Sequence, residues 1–209
     1  MQNNKIKNFF FEALLEYTKD NKVIGDKLIK FCKLIKKSNK IYNLTSITEI
    51  NEMLSKHILD SLSIKSLIKG KDILDIASGA GLPGVPLAIT SPEAKFTLLD
   101  SNNKKIIFLN HVKMNLDIKN IDLIHERIED FDSGSGFDTI ICRSYASLAT
   151  IYLNSKKHLK KEGVIVAMKG KFPHMELDEL KDLDKNIRFE VKRLDVLGLG
   201  AERHAIIIF

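Results

Sequence analysis

Apolar positions recur at helical spacing in the first third of the chain and in short strand-like runs after it. Residues 5–19 place Ile6, Phe9, Phe10, Ala13, Leu14 and Tyr17 on one face, which predicts an amphipathic helix. Residues 23–37 repeat the arrangement with Ile24, Leu28, Phe31, Leu34 and Ile35. Lys27, Lys30, Lys33, Lys36 and Lys37 fall mainly on the opposite side. The polar stretch 38–46 reads as a loop, and a third helix is expected from Thr48 through Ser61. From Lys71 onward, apolar runs alternate with helical periods. Strands are expected at 72–76, 95–99, 121–125, 137–142, 163–168, 187–196 and 203–209, and helices at 83–90, 103–115, 146–159 and 174–184. Such alternation predicts a mostly parallel sheet covered on both faces. The last two strands are joined only by Leu197 to Glu202, with Gly198 and Gly200, so they form an antiparallel hairpin at the edge. The fold class is α/β, with seven strands. Two regions follow: a helical extension over 1–70 and a sheet domain over 71–209.

One stretch departs from this rhythm. After the apolar run Ile73 to Ile76, which contains Asp75, come Ala77-Ser78-Gly79-Ala80-Gly81-Leu82-Pro83-Gly84, and then a helical period. A strand, a glycine turn and a helix bring backbone N–H groups close to a ligand. Gly79, Gly81 and Gly84 match the dinucleotide spacing G-x-G-x-x-G. Asp75, four residues before the first glycine, would repel a pyrophosphate and suits a cationic amine. S-adenosylmethionine has such an amine and no phosphate. Five parallel-type units closed by an antiparallel hairpin also form the Rossmann-like layout of S-adenosylmethionine methyltransferases, whereas a dinucleotide fold usually adds a sixth parallel strand.

Charge changes the picture in the first third. The 209 residues carry a net charge of +6. Residues 1–70 hold 13 lysines and no arginine against 7 carboxylates, while residues 71–209 hold 20 charges of each sign. The whole basic excess lies in the helical extension, which points to a polyanionic partner. The two cysteines, Cys32 and Cys142, form neither a disulfide framework nor a metal pair, so a reducing cytoplasm fits. The six histidines show no metal spacing, and no metal site is expected. No apolar run approaches the ~20 residues that span a bilayer. Nothing in the sequence demands more than a monomer.

Ligands of open α/β sheets bind beyond the carboxyl ends of the strands. Asp100, closing Phe96-Thr-Leu-Leu, can accept both hydroxyls of a ribose or cap the next helix. Ile128 and Glu129 fall in a polar turn after the third strand and can read an adenine edge. Arg143 ends a buried strand, which is costly unless it is ion-paired or faces a cleft, and the cleft is the favoured reading. Lys169 and Lys171 flank Gly170 at another strand end and can grip a phosphate. The role of His57, on a semi-apolar helix face near Asp60, stays open.

With these residues in view, the chain resembles the ribosomal RNA small subunit methyltransferase G family, also called glucose-inhibited division protein B. The resemblance rests on Asn43-Leu44-Thr45-Ser46, His57-Ile58-Leu59-Asp60-Ser61, Leu74-Asp75-Ile76 and Ser78 to Gly84. It extends through Phe96 to Ser101, Arg143 to Leu148, Met168-Lys169-Gly170 and Glu202-Arg203-His204, and so covers the chain from about residue 38 onward. It implies transfer of a methyl group from S-adenosylmethionine to N7 of a guanine in 16S ribosomal RNA, free or in the small ribosomal subunit. It also implies a cofactor site made by Asp75, Ala77, Ser78, Gly79, Gly81, Leu82, Asp100, Ile128, Glu129 and Arg143. Ala77 stands where the family usually has glycine. Lys169 and Arg143 would position the reactants, and Lys27, Lys30, Lys33, Lys36, Lys169, Lys171 and Arg203 would meet RNA. The competing readings are an NAD-dependent oxidoreductase, a methyltransferase for small molecules and a non-catalytic RNA-binding module.

Overall fold

A computed structural model describes residues 2–209, with side chains from residue 5. Helices α1 (Gln2–Leu14) and α2 (Asn21–Tyr42) are followed by α3 (Ile50–Met53), a π-helical stretch Leu54–Leu59 and α4 (Asp60–Leu62). The sheet region then runs β1 (Asp72–Ile76), α5 (Gly84–Thr90), β2 (Lys95–Leu99), α6 (Asn103–Asn115), β3 (Ile121–Ile124), β4 (Phe137–Arg143) and α7 (Leu148–Ser155). It closes with β5 (Leu159–Lys169), α8 (His174–Leu183), β6 (Phe189–Arg193) and β7 (His204–Ile208). Strand order is β3-β2-β1-β4-β5-β7-β6. Strands β1 to β5 pair in parallel, and β7 lies antiparallel between β5 and β6. The expected sheet with its C-terminal hairpin is thus what forms.

Alternate strand residues feed two cores. One face presents Ile73, Phe96, Leu98, Ile141 and Val166 to α5, α6 and the N-terminal helices. The other presents Leu74, Ile76, Ile140, Ile165 and Ile206 to α7 and α8. The first core runs without a break from the sheet to Phe10, Leu28, Phe31, Ile35 and Ile58. The helical extension therefore buries its apolar face against the sheet rather than forming a core of its own. Cys32 on α2 belongs to this first core and Cys142 on β4 to the second.

Several boundaries differ from the periodicity. Helix α1 ends at Leu14, not at 19. Helix α2 continues through the polar residues 38–42, because lysine and asparagine on a solvated face do not interrupt a helix already anchored by Leu28, Phe31 and Ile35. It stops at Asn43, which takes a left-handed angle of φ 49°. The loop expected at 38–46 is therefore reduced to its last residues. Strand β5 begins at Leu159, earlier than the apolar run suggests, with exposed Lys161 and Glu162 inside it.

Candidate active site

The glycine turn joins β1 to α5 beside the carboxyl ends of β2, β4 and β5. Ala77, Gly79 and Gly81 all have positive φ, at 54°, 59° and 84°. A Cβ at Gly81 would lie 2.5 Å from Val85 Cγ2, and one at Gly84 2.5 Å from Asp75 Oδ2, so close packing excludes side chains there. A Cβ at Gly79 would meet nothing nearer than 3.8 Å; its glycine answers the backbone angle, and its open side faces the cleft. Ser78 ties the turn down, its Oγ donating to the Asp75 carbonyl at 2.9 Å and its N–H to the Leu99 carbonyl at 3.2 Å.

Asp75, expected to face a ligand amine, stands behind the turn. It is fully buried and does not line the cleft. Its Oδ2 accepts the Gly84 N–H at 2.9 Å, and its Oδ1 has no partner. Burial raises its pKa to about 7, against the lowering effect of the Gly84 N–H. Asp100 is likewise buried. Its Oδ2 accepts the Gly79 N–H at 2.8 Å and its Oδ1 the Asn102 N–H at 2.9 Å. The cap of α6 is instead Asn102, whose side chain accepts the Lys104 N–H. Asp100 lines a small hollow of about 80 Å³ with Ala77, Ile128, Glu129 and Tyr145. Glu129 is fixed there by Asn154 Nδ2 at 3.1 Å.

On its other side Ala77 borders a larger cleft of about 500 Å³. Ser78, Gly79, Ala80 and Leu82 line its turn side, and Lys56, Lys105, Arg143, Lys169 and Arg203 bring five cations to it. No Asp or Glu lines it among the described residues. Carboxylates off the cleft surface hold these cations. Buried Asp60 on α4 accepts from Arg143 Nη1 at 3.0 Å and from Arg203 Nε at 2.8 Å. Glu176 accepts from Lys169 Nζ at 2.6 Å and also from the Leu148 N–H at 2.8 Å, which fastens α8 to the start of α7. Glu52 pairs with Lys56 at 3.2 Å, and Asp100 lies 3.8 Å from Lys105. The two readings of Arg143 thus hold together: it is ion-paired and it faces the cleft.

His57 has both ring nitrogens engaged. Nδ1 donates to the Lys56 carbonyl at 3.1 Å, which leaves Nε2 to accept the Thr45 hydroxyl at 2.8 Å. Burial and the nearby Arg143 lower its pKa to about 4, so the ring is neutral. The Thr45 oxygen in turn accepts the Ile47 N–H at 3.1 Å. Asn39 Oδ1 accepts the N–H groups of Leu44 and Thr45 at 2.7 and 2.9 Å. His57 and Asn39 together pin the loop 43–47 over the cleft.

The remaining basic residues lie apart. Lys171 is exposed beyond β5. On α2, Lys30 donates to the Asn115 carbonyl at 2.8 Å, Lys36 pairs with Glu49 at 3.3 Å, Lys33 is exposed and Lys27 half-buried. Sequence reasoning gave no role to Asp60, Lys56, Lys105 or Glu176. An acid on the apolar side of a predicted helix, as Asp60 is, was the available signal. Among the described residues no group of His, Cys, Asp and Glu is arranged to hold a metal, and no helix is long and apolar enough to cross a membrane.

Known proteins share this architecture. The glycopeptide N-methyltransferase MtfA, solved with S-adenosylmethionine, matches 73% of this chain and 86% of its own at a TM-score of 0.63 and 10% identity. A S-adenosylmethionine-dependent methyltransferase from Aquifex aeolicus matches 75% and 92% at a TM-score of 0.59 and 14% identity. Sequence relatives are much nearer. The ribosomal RNA small subunit methyltransferase G of Legionella pneumophila strain Corby is 44% identical over 206 residues, covering 99% of this chain and 96% of its own. That of Coxiella burnetii strain RSA 493 is 43% identical over 183 residues, covering 88% and 87%. The family model for rRNA small subunit methyltransferase G matches residues 24–206. With nearly its full length aligned to such relatives, the chain belongs to the rRNA small subunit methyltransferase G family.

Proposed function

We propose that the protein transfers the methyl group of S-adenosylmethionine to N7 of a guanine in 16S ribosomal RNA. Family membership supports the reaction. The structural observation that carries it is a glycine turn opening onto a cleft with five cations and, among the described residues, no lining carboxylate. A polyanionic substrate suits such a wall. S-adenosylmethionine supplies, when bound, an electrophilic sulfonium methyl. The open side of Gly79 gives it room beside the backbone, and the hollow with Asp100, Ile128 and Glu129 suits an adenosine, Asp100 accepting from the ribose hydroxyls. Both Asp100 oxygens are already oriented by backbone N–H groups, and each keeps a further lone pair.

Guanine N7 has an in-plane lone pair, so no base must remove a proton. The cleft fits that requirement, since neutral His57 uses both ring nitrogens internally. Positioning is then the main contribution. Arg143 and Lys169 hold their places through Asp60 and Glu176 and meet phosphate or the bound cofactor. The same reading has a monomer act in the cytoplasm: one chain supplies every group named, and ribosomal RNA is the substrate.

Reverse-transcription mapping of 16S RNA from a strain lacking the protein should show loss of one N7-methylguanine, restored by the purified enzyme with small subunits or RNA. A mapping pattern unchanged by the deletion would reject this substrate. Titration should give binding of S-adenosylmethionine and none of NAD. Replacing Lys27, Lys30, Lys33 and Lys36 together should weaken RNA binding and flatten its salt dependence, by up to ~0.7–0.9 in log–log slope for each phosphate that is no longer neutralised.

A further inference from the structure

The π-helical stretch Leu54–Leu59 walls more than the cleft. Lys56 and His57 face the cleft. Leu54, Ser55 and Leu59, with Lys56 again, line a second hollow of about 480 Å³. Across it stands α1, with Phe9 and Phe10. Phe9 is 42% exposed and lines this hollow. A Cβ on Gly198 would lie 3.0 Å from the Phe9 ring, so the glycine of the β6–β7 loop lets the ring sit at the end of the groove. The carboxylate on this groove, Glu52, is paired with Lys56.

Asn51 and Leu54 line this groove and also a third hollow, of about 380 Å³, which holds Lys7, Lys33 and Lys36. The ion pairs of two of these lysines are exposed, Lys7 with Asp26 at 3.9 Å and Lys36 with Glu49 at 3.3 Å, and Lys7 also lies 5.6 Å from the centre of the Phe11 ring. Exposed pairs of this kind are weak and readily exchanged for a phosphate. The surface therefore runs from the cationic cleft, through an apolar groove with a half-open aromatic ring, to a cluster of lysines.

We infer that this track holds the RNA strand next to the target guanine. A flanking nucleobase stacks on Phe9 in the groove, and the following backbone phosphate rests on Lys7 and Lys33. Continuity with the cleft through Lys56 and cations at both ends favour an RNA occupant over a peptide helix or a second copy of the chain. An aromatic platform between cations is how proteins hold unpaired strands without reading sequence. The inference rests on the ribosomal RNA substrate proposed above.

Small ribosomal subunits and S-adenosylmethionine provide the test. Phe9→Leu keeps an apolar filler but loses the stacking face, as does Phe9→Ala. Both should raise KM for subunits by about 5- to 150-fold, the range expected when one base stack is removed. Phe9→Trp should stay close to wild type, and affinity for S-adenosylmethionine should be unchanged in all three. Wild-type KM in Phe9→Leu and Phe9→Ala would overturn the inference, as would an equal loss of cofactor affinity. Absence of methylation by the wild-type protein is a separate result, which sinks the substrate assignment itself. Should the truncated variants fail to fold, a photoreactive benzoylphenylalanine in place of Phe9 should cross-link to nucleotides adjacent to the target guanine. Cross-links only to distant nucleotides would count against the track.

Discussion

A carboxyl without access to water, and with one oxygen unbonded, gives up its proton only at higher pH. In the unfolded chain Asp75 ionises near its ordinary value of 3.8, whereas in the folded protein it does so only near 7. Between those limits the folded state binds more protons, so the free energy of unfolding falls as pH rises. The contribution is complete below about 3.8 and gone above about 7. Urea unfolding across that range should show this slope in the wild type and a flatter one in Asp75→Asn. Ala77 invites a second substitution. Its φ of 54° costs an L-residue about 1–2 kcal/mol, so Ala77→Gly should raise the free energy of unfolding by up to about 1 kcal/mol after the glycine's extra chain entropy is counted, read as a higher urea midpoint. The sequence marked both positions as part of the turn. It did not show which way Asp75 faces, because a strand-end residue can turn to the ligand or to the backbone behind it. Here the Gly84 N–H decides.

Three elements converge on one buried acid. Asp60 lies on α4, Arg143 ends β4 and Arg203 precedes β7, so a single carboxylate ties the helical layer to the middle of the sheet and to its C-terminal hairpin. Asp60→Ala should cost about 3 kcal/mol, since it leaves two half-buried guanidinium groups without their counter-charge. Thermal melts of Asp60→Ala, Arg143→Met and the double variant should show a clearly non-additive cycle, the second change costing less once the first is made. Most elements around this junction were legible. Strands β1 and β2 and helix α6 follow their apolar periods to the residue. The π-helical widening at Leu54–Leu59 was not legible, since no residue type signals it. Nor was the polar start of β5, where Leu159 pairs with Phe137 of β4 before the register shifts to Val164 opposite Thr139. Which lysines reach the cleft was also hidden, because Lys56 and Lys105 differ from their solvated neighbours only in where the helices dock.

At the scale of the molecule, one continuous core binds the lysine-rich helices to the sheet. The charge boundary near residue 70 therefore does not mark two folding units. Helix α2 alone contributes Leu28, Phe31, Cys32 and Ile35 to that core. Far-ultraviolet circular dichroism, which follows all the helices and strands, and the tyrosine fluorescence of a Tyr145→Phe/Tyr152→Phe variant, which leaves only Tyr17 and Tyr42 on the helical side, should give coincident urea transitions. Removing residues 1–42 should abolish cooperative unfolding, which calorimetry of the fragment would show. The two thiols extend this argument to kinetics. Burial pushes both Cys32 and Cys142 up to about 12, so neither presents a thiolate to an alkylating reagent while the protein stays closed. One reports from the helical layer and the other from a central strand, so their modification rates under native conditions form a built-in clock for each half. Equal rates would mean that the two halves open in a single event, and a faster Cys32 would mean that the lysine-rich layer peels away first.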